Sequence, residues 1–269
     1  MTEKIVQNLE GVSETLLMTL YARARESQRP DAMLKDDQAV AMVKQLPYDF
    51  SRFRLQRHDE VAIILRMKKF DHHVSSFIVQ NPDALVVHIG CGLDTRFERV
   101  DNGKVEWFDL DLPNVMNLRQ KLLHTENARY HTIAGSVFEE GWLEAVGRFK
   151  PRPFLFIAEG VLPYFEEEQV KGLFLVLRTY FPGSELVCDA HTPFVVWADN
   201  LHLAFAGIEA RLHWSIKTGK DPEVWDAEIK MLDEWNYYDD DEEELKAFRW
   251  VRLFPALAKS SGIFHYRLG

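Results

Sequence analysis

The chain has 269 residues, 46% of them hydrophobic, and a formal net charge of -10 at pH 7. That length and apolar content support one large α/β domain with an N-terminal extension and a lid, while the acidity disfavours a nucleic-acid substrate, whose phosphates need a basic surface. No run nears the roughly 20 apolar residues of a membrane span, Met1 to Glu10 lacks a signal-peptide pattern, and two cysteines speak for reduced thiols over a disulfide framework, so the reading is a cytoplasmic enzyme with no membrane or nucleic-acid partner and its oligomeric state left open.

Residues 1–80 read as an N-terminal helical cap. Leu16, Leu17, Leu20 and Ala24 form one apolar stripe, and Val61, Ile64, Leu65, Lys68 and Phe70 belong to a second helix that leads through Phe77 into the first strand. These helices are placed to roof a cleft. Of His72 and His73 at most one faces it, because adjacent helical residues point about 100° apart.

Residues 81–190 read as the ligand-binding core. Leu85–Ile89 has the β-branched enrichment of a strand covered on both faces, and it breaks into Gly90-Cys91-Gly92-Leu93-Asp94-Thr95-Arg96. Gly90 and Gly92 let the backbone turn sharply and approach a ligand without an intervening Cβ. A second strand from Val105 ends in Asp109 and Asp111, about 20 residues after the glycines, the spacing at which a carboxylate meets ribose hydroxyls. Both acids compete for that role, and Pro113 then suits a helix start.

Further strands are predicted over Ala128–Ala134, ending at Gly135-Ser136, over Phe154–Ala158, ending at Glu159-Gly160, and over Glu185–Asp189, with a helix from Glu166 to Tyr180. The alternation of strand and helix predicts a doubly wound, mostly parallel sheet whose strand ends converge on one edge. Residues 191–233, rich in aromatic and histidine side chains (His191, Trp197, His202, His213, Trp214, Trp225), read as a helical lid over the cleft, with His191 best placed of the group. Residues 234–269 read as a closing antiparallel hairpin, Glu234 to Tyr238 with Ile263 to Leu268, and a helix. The acidic run Asp239-Asp240-Asp241-Glu242-Glu243-Glu244 reads as a solvated cap of that helix, since a contiguous run lacks the spaced ligands of a calcium loop. No metal site is predicted.

Three of these segments carry a resemblance. Gly90-Cys91-Gly92-Leu93-Asp94-Thr95-Arg96, Phe108-Asp109-Leu110-Asp111-Leu112-Pro113 and Ala158-Glu159-Gly160-Val161-Leu162-Pro163-Tyr164 together resemble the leucine carboxyl methyltransferase family, and more closely its bacterial branch, the tetracenomycin polyketide synthesis type of O-methyltransferase. The likeness extends upstream through Tyr21–Ser27, Leu34–Ala39 and Leu65–Asp71, covers roughly residues 15 to 190, and fades beyond.

The resemblance implies a Rossmann-like methyltransferase fold with S-adenosylmethionine as cofactor. It assigns Arg66 to the methionine carboxylate, with Arg25, or Arg23 in the alternative register, reaching the same pole. Gly90 and Gly92 would pass beneath the cofactor, Asp111 would bind the ribose with Asp109 as second choice, and Glu159 would lie near the methionine amino group or the sulfonium. Where many relatives place Asp-Leu facing the adenine, this chain has Ser136-Val137. Tyr164 would orient an acceptor oxygen, and His191 would serve as a base if the acceptor needs one. A carboxylate acceptor needs none near neutral pH, whereas a phenol does. The implied activity is O-methylation of a carboxyl or hydroxyl oxygen of a small organic acceptor. The alternatives are an NAD(P)-dependent oxidoreductase, for which Thr95 stands where the third glycine of Gly-x-Gly-x-x-Gly belongs, and a non-catalytic S-adenosylmethionine-binding module.

Overall fold

A computed structural model of the chain describes residues 12–205, 209–237, 239, 246 and 250–269. Strands β1 (Leu85–Ile89), β2 (Glu106–Asp111), β3 (Tyr130–Ala134), β4 (Phe154–Ala158), β5 (Ser184–His191), β6 (Ile229–Asn236) and β7 (Ser261–Leu268) form one sheet in the order β3-β2-β1-β4-β5-β7-β6. The first five are parallel, and β7 runs antiparallel to both β5 and β6. This is the doubly wound, mostly parallel sheet closed by an antiparallel hairpin that the sequence predicts.

The helices follow from the same pattern. They are α1 (Val12–Ser27), α2 (Asp37–Gln45), α3 (Arg57–Gln80), α4 (Arg96–Val100), α5 (Pro113–Leu122), α6 (Gly141–Gly147), α7 (Glu167–Tyr180), α8 (Pro193–Phe205) and the single turn α9 (Pro255–Ala258). Period-2 alternation splits the strands between two cores. Leu85, Val87, Ile89, Phe108 and Phe156 pack with α6 and α7 on one face, whereas Val86, Trp107, Leu155 and Ile157 pack with α3 on the other. A third cluster, with Leu17, Leu20, Met42 and Phe53, meets Leu93 after β1, Val115 and Leu118 of α5, and Leu203 of α8. This cluster seats the N-terminal helices on the carboxyl edge of the sheet.

Several boundaries differ from expectation. β3 starts at Tyr130, not Ala128, because Asn127 folds a turn there, its side-chain oxygen accepting from Arg129 N at 3.0 Å. β5 extends to His191 because every residue from Ser184 pairs with β7. The first hairpin strand runs over Ile229–Asn236, not from Glu234. It is the edge strand, and its charged residues Lys230, Asp233 and Glu234 obscure the alternation. Tyr238, most of the acidic run and the helix that run was to cap lie outside the described residues.

Among the described residues, the expected helical lid contains one helix, α8, and a short 3-10 turn at Asp221–Val224, whereas residues 209–216 have no regular secondary structure. That stretch is pinned by backbone bonds from His213 and Trp214 to Pro163 O and from Ile216 to His191 O. Its Trp214 belongs to the sheet core, and Trp225 packs against Phe174. Among the described residues no helix is long and apolar enough to cross a membrane.

Candidate active site

Connections leave β1 toward β2 on one side and reach β4 on the other, and the crevice at such a reversal is where ligands bind in open α/β sheets. Here it is a cavity of about 350 Å³. Gly90 and Gly92 line it with φ of +63° and +52°, in the left-handed region that glycine enters without penalty. A Cβ on Gly90 would stand 2.3 Å from Val161 Cγ2, so glycine lets the turn after β1 meet the turn after β4.

The two acids of β2 have separate surroundings. Asp109 is buried beneath the cavity and does not line it. Its carboxylate accepts from Trp107 Nε1 at 2.8 Å and pairs with Arg119 at 2.6 Å, and the Tyr130 hydroxyl donates to it. Arg119 in turn donates to Gly92 O at 3.0 Å, so this buried group braces the glycine turn from below. Asp111 does line the cavity. Its two oxygens accept from Gly92 N and Leu112 N, each at 2.7 Å, and burial pushes its carboxyl up from the ordinary range despite those bonds.

A charged pole lies at the ends of β1, β4 and β5. Arg66, from α3, donates to Glu159 at 3.0 Å and to Asp189 at 3.1 Å, and Asp189 also accepts from Gly160 N at 2.8 Å. Glu159 receives a second arginine, Arg96, at 2.5 Å. Arg23 from α1 lines the same pole, pairs with Asp36, and donates to Leu93 O at 2.7 Å, while its buried Nε has no acceptor among the described residues. The opposite pole is neutral, walled by Leu110, Ser136, Val137 and Phe165. Tyr164 lines the cavity, donates to Thr15 Oγ1 of α1 at 3.4 Å, and burial pushes its phenol up.

The structure thus gathers Arg66, Gly90, Gly92, Asp111, Ser136, Val137, Glu159 and Tyr164 around one cavity. Three expected residues lie elsewhere. Arg25 is half-exposed and pairs with Glu60 at 2.8 Å, and Arg23, two residues earlier on the same helix, takes the lining place. Asp109 is in the core. His191 lines a separate cavity of about 100 Å³, its Nδ1 lies 2.9 Å from Ser261 Oγ, and burial holds its pKa below the ordinary value against the pull of Asp189 and Asp199. Asp94, Arg96, Arg119 and Asp189 had no assigned role. The signal for Asp189 was available, an acid at the carboxyl end of a parallel strand, as with Asp111.

The profile of the family described as leucine carboxyl methyltransferase matches residues 16–177. The tetracenomycin polyketide synthesis O-methyltransferase TcmP of Streptomyces glaucescens is 34% identical over 86% of this chain and 85% of its own. The chain belongs to the leucine carboxyl methyltransferase family. An S-adenosyl-L-methionine-dependent methyltransferase of Gibberella zeae, dpfgK, is 30% identical over 65% of this chain and 63% of its own length. In fold, the chain is similar to a DUF574 family protein from Streptomyces avermitilis, with a TM-score of 0.61 at 13% identity over 95% of this chain and 97% of the other. The chain is an S-adenosylmethionine-dependent methyltransferase, and the comparisons lend no support to the oxidoreductase or the non-catalytic reading.

The cavity fits that cofactor by its donor set. Arg23, with a buried Nε lacking an acceptor, and Arg66 match a carboxylate; Asp94 and Glu159 match an ammonium; Asp111 keeps lone pairs free for a diol; and the neutral pole matches a flat base. The volume is within the range of small-molecule sites.

Proposed function

We propose that this methyltransferase transfers a methyl group from S-adenosylmethionine to a carboxyl or hydroxyl oxygen of a small organic acceptor. The observation that carries the reading is the single cavity that passes from paired arginines and acids, through Asp111, to a neutral pole. Likeness to a protein named as an O-methyltransferase supports oxygen as the acceptor atom.

When bound, the cofactor supplies an electrophilic methyl carbon on a positively charged sulfur. Arg66 and Arg23 hold its carboxylate, Glu159 its amino group, Asp111 its ribose, and Ser136 and Val137 face its base. Tyr164, hydroxyl toward α1, orients the acceptor oxygen, and the N-terminal helices exclude water. His191 stands apart from the cavity, which supports an acceptor that needs no base from that residue. We read the enzyme as cytoplasmic and without a nucleic-acid partner, on a net charge of -10 and two buried free thiols. In this reading the described part of residues 1–80 caps the core of 81–190, while the described residues of 191–233 flank the acceptor and those of 234–269 close the sheet.

Calorimetric titration with S-adenosylmethionine, S-adenosylhomocysteine and NAD tests the cofactor, and transfer of labelled methyl to a library of small acids and phenols tests the acceptor. Binding of both sulfur compounds and not NAD, with label on oxygen, is expected. Label on nitrogen or carbon alone would overturn the acceptor assignment.

A further inference from the structure

Arg96 follows the glycine turn and its side chain is fully buried, yet three elements converge on it. Its Nε donates to Asp71 of α3 at 2.6 Å, one terminal nitrogen lies 3.1 Å from Asp94 in the glycine turn, and the other lies 2.5 Å from Glu159 at the end of β4. Its guanidinium also stands 5.4 Å from the Phe70 ring centre. Asp94 and Glu159 are the two acids of the charged cavity wall, and Arg96 pairs with both.

Each acid has a second arginine. Asp71 and Asp94 also pair with Arg99, at 2.6 and 3.0 Å, and Glu159 also pairs with Arg66 at 3.0 Å. The planar fork of Arg96 therefore sets the angle between two carboxylates that are otherwise tied to different helices. A carboxylate has about four lone-pair sites, so each acid keeps capacity for an N–H from the cavity. With Asp189 on Arg66, three arginines face four carboxylates in this group, so the acids outnumber the arginines by one.

We propose that Arg96 is a positioning residue that aligns Asp94 and Glu159 as a two-carboxylate cradle for the amino group of the methyl donor. The inference rests on the proposed placement of that amino group at Glu159. Arg96 touches no ligand itself; it acts through the two acids. It makes the charged pole selective for ligands bearing the amino-acid tail, which an adenosine lacking that tail does not sense.

Arg96→Met removes the fork while leaving every acid one arginine, and Arg96→Lys keeps the charge but not the fork. Both are titrated with S-adenosylhomocysteine and with 5′-methylthioadenosine, which lacks the amino-acid tail, alongside thermal unfolding of the free proteins. Arg96→Met is expected to weaken S-adenosylhomocysteine roughly tenfold or more, the loss of about one charge-assisted hydrogen bond, and 5′-methylthioadenosine by no more than about twofold. Arg96→Lys is expected to fall between parent and Arg96→Met for the first ligand and to match the parent for the second. Equal weakening of both ligands in both variants would make Arg96 a structural residue and overturn the proposal, as would unchanged binding of both. Should Arg96→Met not fold, Arg96→Lys alone decides by the same comparison. A parent protein that binds neither ligand would instead overturn the cofactor placement.

Discussion

At the scale of single residues, the informative contrast is between Asp109 and Asp111, two acids with one residue between them. Strand alternation would turn both the same way, yet one is capped by Arg119, Trp107 and Tyr130 in the core while the other, at the strand end, bonds backbone N–H groups and faces the cavity. Removing one partner of a buried ion pair leaves the other uncompensated, so Asp109→Ala is expected to destabilise the fold by about 3 to 5 kcal/mol. Asp111→Ala is expected to weaken S-adenosylhomocysteine binding by about 1.5 to 3 kcal/mol, the range for a hydrogen bond to a charged group, with a smaller effect on unfolding. Denaturant unfolding and calorimetric titration of both variants check this. The reverse pattern would exchange their roles.

At the scale of elements, what was legible followed burial. β1 and β4 lie inside the sheet with every residue buried, and both agree with their sequence boundaries, because a strand covered on both faces must be apolar throughout. β6 was misplaced because an edge strand has no such requirement. The cavity's lining was legible where strand ends carry glycines or acids. Arg25 and Arg23 were not separable, since which arginine of α1 turns inward depends on helix rotation, set by contacts from α2 and the loop after β1 that no local pattern encodes. Arg96 and Arg119 carried no assigned role because most of the acids that mark them as buried, Asp71, Glu159 and Asp109, stand on other elements.

The one polar residue inside β1 yields an element-scale prediction. His88 is buried between Asp109 Oδ1, 3.6 Å from its Nδ1, and Arg96, 3.5 Å from its Nε2. Burial, reinforced by the Arg96 charge, lowers its pKa from 6.5 to about 4. Below pH 6.5 the unfolded chain binds a proton that the folded strand refuses. The contribution is therefore full above that pH and lost progressively as the pH falls toward about 4, by a total on the order of 3 kcal/mol. His88→Gln is expected to flatten the decline in unfolding free energy between pH 7 and 4.5 relative to the parent. Parallel slopes in the two proteins would show that His88 is protonated in the fold.

At the scale of the whole molecule, the cavity belongs to no single layer. Thr15, Thr19 and Arg23 of α1 and Arg66 of α3 form its roof, while the ends of β1, β2 and β4 form its floor. A ligand spanning the two ties the N-terminal helices to the sheet, and stabilises the fold by about 2.7 kcal/mol at a hundredfold excess over its dissociation constant. For a chain of this size that corresponds to a rise in melting temperature of roughly 5 to 10 °C. The gain should not be spread evenly. α7 packs under the sheet face through Leu173, Phe174 and Leu177, and is already held by core contacts that the ligand does not touch. Hydrogen exchange with and without S-adenosylhomocysteine is therefore expected to slow most in α1 and in the glycine turn after β1, with α7 nearly unchanged. Slowing confined to the sheet, with α1 exchanging as before, would mean that the N-terminal helices do not close on the ligand, and Arg23 would lose its assignment to the carboxylate.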